Sequence, residues 1–179
     1  MAKQILNVGL TENDGTGDNL RDACVKVNDN DTELYDRVGI GVFAALAAQT
    51  KTDITASDTY TPIAGIFTNV PAIGFEFLAD PAIKYVGEET MYFKMDICLS
   101  GFAAANNTTV TGAIKKNGII LTHSLMQAFL KTTPDSYNFS GTDVFELAKG
   151  DKIQLVVKTN NGADVTFINI TTTLKPFTI

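Results

Sequence analysis

Few side chains in this sequence could do chemistry. There is one histidine, His123, and there are two cysteines, Cys24 and Cys98. An imidazole acting as a base needs a nucleophile beside it and an acid to orient it. The spacing around His123 identifies neither, and its place two residues past Leu121 reads as an exposed or interface strand position. Two cysteines cannot build a disulfide scaffold, and no Cys/His cluster offers a structural zinc site. Cys24 falls beside an apolar helix stripe and Cys98 on the second face of a strand, so both read as packing residues. Asp14-Gly15-Thr16-Gly17-Asp18 has the glycines of a phosphate loop but neither the lysine nor the preceding buried strand. Asn28-Asp29-Asn30-Asp31-Thr32-Glu33 opens like a calcium loop, yet the sixth-position glycine and twelfth-position glutamate are missing from a pattern that reads as helix. A hydrolase would rest on acidic residues alone. The expectation is a protein that is not an enzyme and takes no cofactor or metal.

The charge points the same way. The 179 residues carry 20 acids and 14 bases, a net charge of −6, whereas a nucleic-acid binder needs a basic face. The longest weakly polar stretch, Val38 to Ala48, is far short of the ~20 residues of a membrane span. The N-terminus does not resemble a signal peptide, so the expectation is a soluble, non-secreted chain with no nucleic-acid or membrane partner.

The composition is uneven. Residues 1–38 hold eight acids and four bases, and so −4 of the −6, together with both arginines, Arg21 and Arg37, and a single aromatic, Tyr35. All eleven Phe come later. An acidic N-terminal module, residues 1–40, therefore precedes a Gly/Ala-rich linker over 41–52 and a Phe-, Thr-, Ile- and Val-rich body over 53–179. The fold class is mainly β: an N-terminal extended arm and single helix followed by a β-sandwich jelly roll.

In the module, Asn13 to Gly17 is turn chemistry. Asp18 is placed to cap a helix, with Asp22 adding charge that favours its start. Leu20, Ala23, Val27, Leu34 and Val38 follow the 3–4 residue rhythm of one face, and Gly39 and Gly41 supply the stop. So thin a stripe, interrupted by Asp31, must lie on a partner or on copies of itself.

The body reads as β throughout. Met91, Phe93, Met95, Ile97 and Leu99 alternate with polar neighbours, the strongest strand signal in the chain. Val110–Ile114 is a second strand, followed by an Asn117-Gly118 hairpin turn. A further hairpin is expected from Val144–Leu147 through Lys149-Gly150-Asp151 to Ile153, Leu155 and Val157. Asn160-Asn161-Gly162 leads into a last strand, Val165–Leu174, and weaker strands are expected over Ile63–Phe67, Ile73–Phe77 and Ile83–Val86. Eight or nine short strands uninterrupted by helices suit a two-sheet sandwich.

Asn7-Val8-Gly9 and the run from Asn13 to Tyr35 together resemble an N-terminal module of tailed-bacteriophage virion proteins, whose run reads roughly N-D-G-T-G-D-x-L-R-x-A-F-x-K-I-N-x-N-F-x-E-L-Y. Asp14, Gly15, Thr16, Gly17, Asp18, Leu20, Arg21, Ala23, Lys26, Asn28, Asn30, Glu33, Leu34 and Tyr35 match it, whereas Cys24 and Asp31 stand where that family usually has Phe. The resemblance implies a virion-docking segment in which the matching residues other than Asn30 and Glu33, with Val27, form the anchor, Arg21 and the acids fixing register. Its partners would be other virion proteins (capsid, portal or neck, or tail), in a particle assembled in the host cytoplasm. More loosely, Lys116-Asn117-Gly118 and Val144 to Leu155 are similar to the complement/tumour-necrosis-factor-like jelly roll, which implies a homotrimer. Together the resemblances imply a capsid decoration or cement knob, short head fibre or collar element. The alternative is a receptor-binding tail-fibre tip recognising a host glycan, with Tyr60, Tyr85, Tyr92 and Tyr137 as the stacking aromatics.

Overall fold

The computed structural model describes residues 5–8, 15–38, 42–65, 67–69, 74–78, 82–132 and 136–177. The chain divides into two compact units, Met1–Ile40 and Gly41–Ile179. The first contains helix α1, Leu20–Val38; the glycines at 39 and 41, expected as its stop, lie outside the described residues.

The second unit is antiparallel β. Its strands are β1 (Val42–Leu46), β2 (Thr50–Thr52), β3 (Thr61–Pro62), β4 (Phe67–Asn69), β5 (Phe75–Phe77), β6 (Ala82–Tyr85) and β7 (Met91–Ala103). They continue with β8 (Thr108–Lys116), β9 (Ile119–Ile120), β10 (Met126–Leu130), β11 (Tyr137–Leu147), β12 (Lys152–Thr159) and β13 (Val165–Pro176). One sheet runs β11-β7-β13-β1-β4 with β2 also on β13; the other runs β10-β8-β12-β6-β5, with β3 on β12 and β9 on β8. The sheets face each other as a jelly-roll sandwich, mainly β as the sequence indicates.

The alternation in β7 sets the core. Phe93, Met95, Ile97 and Leu99 are buried, while Tyr92 and Cys98 on the other face are exposed. Phe167, Ile170 and Leu174 of β13 line the same interior, met from the opposing sheet by Val110, Ile114, Leu130, Ile153 and Val157. Phe75, Tyr85 and Phe93 close one end, with ring centroids 5.2–5.3 Å apart in tilted and edge-on arrangements.

Three local expectations give way to longer-range pairing. The linker over 41–52 contains β1 and β2, because Val42 to Ala45 and Thr50 to Thr52 find ladder partners on β13. The strand expected over Ile63–Phe67 does not form: Ile63 and Ala64 lie between β3 and β4, which belong to different sheets, and among its described residues only Phe67 is in a strand. Ile73 and the start of the strand expected there lie outside the described residues. The segments either side of Lys149-Gly150-Asp151 are not a hairpin: β11 pairs with β7 and β12 with β8, β6 and β3. The turn is real, with Asp151 N donating to Ala148 O at 3.0 Å and Gly150 at φ 92°. It carries the chain from one sheet to the other, which a period-two pattern cannot distinguish from a return along the same sheet. The Asn117-Gly118 turn is as expected, both residues having positive φ (49° and 87°).

Gly101 sits where β7 passes β13 just before the irregularity at Phe167/Asn169. A Cβ there would lie 2.4 Å from the Thr166 carbonyl oxygen, which as backbone cannot swing aside. Gly101→Ala is expected to destabilise the body by about 1–3 kcal/mol, visible as a lowered thermal midpoint.

Candidate functional site

Four of the predicted docking residues, Gly15, Thr16, Asp18 and Lys26, gather around a clasp in the first unit. Asn7 and Asp18 bind twice: Asp18 N donates to Asn7 O at 2.7 Å, and Asn7 N donates to Asp18 Oδ2 at 2.9 Å. Lys26, two turns into α1, donates to the same Asp18 Oδ2 at 2.6 Å and to Ile5 O at 3.3 Å. Asn7 Nδ2 donates to Thr16 O at 2.7 Å, so the turn closes over the arm as well. Gly15, at φ 69°, adopts the left-handed backbone this turn needs. Asp14 lies outside the described residues.

This arrangement corrects the reading of Asp18 as the helix cap. Asn19 has that role: its Oδ1 accepts the Asp22 N–H at 2.9 Å, and its Nδ2 donates to Asp22 Oδ2 at 2.7 Å. Asp18, freed from capping, joins arm and helix. Asn7 and Asn19 are the residues that sequence reasoning missed; Asn19 with Asp22 three positions later was the available signal.

The other predicted residues are distributed along α1. Leu20 (81% exposed) and Val27 (42%) present apolar surface, whereas Ala23 is half-buried. Arg21 and Asn28 are exposed, and the backbone of Leu34 and Tyr35 lies in the helix. Cys24, expected to pack, is exposed, as is Cys98; each occupies a face turned away from its unit's interior. The arm adds Ile5 and Val8, 79% and 89% exposed.

In the second unit, β10 and β11 are the terminal strands of their sheets and lie beside each other across the sandwich. This side exposes Leu125, Phe129 and Val144. It also carries His123, which lies in a 3₁₀ turn, Thr122–Ser124, rather than in a strand. His123 Nδ1 donates to Asp143 Oδ1 at 2.6 Å, joining the two sheets. Asp143 is the orienting acid that the sequence did not identify: 20 residues away, it points inward from β11 and is 8% exposed. Its Oδ2 has no hydrogen-bond partner among the described residues. The adjacent hydroxyl is committed: Ser124 Oγ donates to Leu121 O at 2.6 Å and accepts from Ile114 N at 2.8 Å. The pair acts as a clasp between two sheet edges.

Beside this edge, the outer face of β11, β7 and β13 forms a shallow depression of about 340 Å³ lined by Asp96, Cys98, Ser140, Thr142, Thr171 and Thr173. Thr142 Oγ1 donates to Asp96 Oδ1 at 2.6 Å, and that bond holds the Asp96 carboxyl below its ordinary range. Of the tyrosines expected to stack on a glycan, Tyr85 is removed from candidacy. It is buried, and its hydroxyl donates to Glu89 O at 2.8 Å. Tyr60 and Tyr137 are half-buried, Lys158 Nζ lies 5.3 Å from the Tyr60 ring centre, and Tyr92 is exposed.

The Lys26 ammonium, and after it the Asn7 amide, hold the Asp18 carboxyl below the usual aspartate range. The folded-state value being the lower one, the arm clasp is complete above about pH 4 and is lost as pH falls through that depressed value. Hydrogen exchange at the Asn7 amide should accelerate over that interval, and Asp18→Asn should abolish the step. His123→Ala leaves the buried Asp143 carboxylate short of its donor and should cost about 1–3 kcal/mol in thermal unfolding.

No protein-family model matches the chain, and no curated protein is similar enough to match. Solved structures do. Eiger, a TNF protein from S. frugiperda, superposes with a TM-score of 0.56 at 10% identity over 76% of this chain and 91% of its own. Murine APRIL gives a TM-score of 0.48 at 14% identity over 73% of this chain and 98% of its own. At such identity the likeness to Eiger is one of fold, and the body has a TNF-like jelly-roll architecture.

Proposed function

We propose that this chain is a non-enzymatic structural protein of a tailed-bacteriophage virion. Residues 1–40 anchor it, and the jelly-roll body projects as a capsid decoration or cement knob, a short head fibre or a collar element. The observation that carries this reading is the clasp: Gly15, Thr16, Asp18 and Lys26, all matches to the virion module, hold the arm against the helix. A motif spent on fixing an arm that leaves Ile5, Val8, Leu20 and Val27 exposed suits an anchor. Side chains of this kind gain about 25 cal/mol for every Å² they hide from water, and a partner surface is where they would hide it.

The body assembles as a homotrimer in this reading. Leu125, Phe129 and Val144 on the β10/β11 side adjoin the hydroxyl-lined depression on the outer face of β11, β7 and β13. A projecting apolar edge beside a shallow, mostly uncharged face allows each copy to seat its edge on the next, a heterologous contact that closes into a ring.

Size-exclusion chromatography with light scattering should give three times the 19.2 kDa chain mass, and Phe129→Asp should give the monomer with its β-sheet circular dichroism intact. A wild-type monomer at all concentrations would overturn the trimer. Deleting residues 1–38 should remove the protein from purified particles; retention would overturn the anchoring role.

A further inference from the structure

Among the described residues, the backbone groups of the arm that form the clasp lie on one side of it. Asn7 turns both its N–H and its C=O to Asp18, as one residue of an extended chain does towards a single neighbour. Ile5, two positions earlier, turns its C=O the same way, to Lys26. Successive residues of an extended chain present their backbone groups to opposite sides. The N–H and C=O of Leu6 and Val8 therefore face away from the helix, and among the described residues they make no hydrogen bond. An extended segment held along one edge, with the other edge open and apolar side chains exposed, has the form of a strand awaiting a sheet.

We infer that Leu6–Val8 is a donor strand that completes the free edge of a β-sheet in the partner protein. This rests on the reading of residues 1–40 as the anchor. Backbone bonds from Leu6 and Val8 would supply the pairing, and side-chain pockets for Ile5 and Val8 the selectivity. The occupant is a sheet edge bordered by lysine or arginine. Residues 1–38 carry eight acids and four bases, so a basic border attracts the arm. A second copy of this chain is disfavoured by the same charge, because its body is net acidic too, with −2 of the −6.

Proline at position 8 isolates the backbone contribution. It removes the outward N–H, and it favours the extended conformation that Asn7 already needs for the clasp. Val8→Thr keeps the N–H and the shape. The full-length chain and both variants would be loaded onto particles assembled without it, with copies per particle counted by quantitative mass spectrometry and folding checked by thermal melting. Val8→Pro should load about tenfold less than wild type and Val8→Thr within about twofold. The Leu6 and Val8 amides should exchange slowly on loaded particles and rapidly in the free protein.

Wild-type loading by Val8→Pro, or equal losses for both variants, would overturn strand addition while leaving the anchor in place. If Val8→Pro instead reduces the oligomeric state of the free protein, the arm pairs with a second copy and the partner assignment is overturned. Failure of the wild type itself to load would overturn the anchor and, with it, this inference.

Discussion

The body depends on the ladder of β7. This strand is hydrogen-bonded on one side to β11 and on the other to β13 along nearly its whole length, so its backbone polar groups are satisfied and its two faces are free to differ. Its inner face contributes Phe93, Met95, Ile97 and Leu99 to the core, and its outer face lines the open depression with Asp96 and Cys98. The opposing sheet is built around β8 and β12 in the same way. At Gly101 the approach of β13 is so close that only a hydrogen fits in place of a side chain.

Because β7 and β8 are central, β11 and β10 end their sheets, and the most distinctive features of the body lie there. Terminal strands invite unwanted pairing, and an inward-pointing charge is one way to discourage it. Asp143 has that position. It is tolerated because His123 reaches across from the other sheet to bind Oδ1 and because the Val144 amide also donates to that oxygen, at 2.8 Å. The apolar Leu125, Phe129 and Val144 surround this polar clasp on the outside.

The first unit solves a different problem, since a short arm and one helix have little interior. Its order comes from polar bonds converging on Asp18, whose Oδ2 accepts from both Asn7 and Lys26. Neutralised by Lys26, that carboxylate can sit between arm and helix with only 18% of its side chain exposed. Ile5, Val8, Leu20 and Val27 are left outward, which a self-sufficient domain would avoid and which suits the proposed anchor.

How much of this was legible in the sequence depended on distance along the chain. Period-two alternation in β7, the Asn117-Gly118 turn, the helix over 20–38 and the class of fold follow from sterics and burial within a few residues, and the sequence by itself determined them. Three-dimensional structure alone decided which strands pair. It sent β11 and β12 to different sheets across a tight turn, and it recruited the expected linker as β1 and β2. It also took Tyr85 into the core, and it brought Asp143 to His123 and Lys26 to Asp18. The physical reason is common to all of these: a residue's periodicity records which side of its own strand or helix meets water, but a hydrogen-bonded partner is chosen by where the rest of the chain has packed.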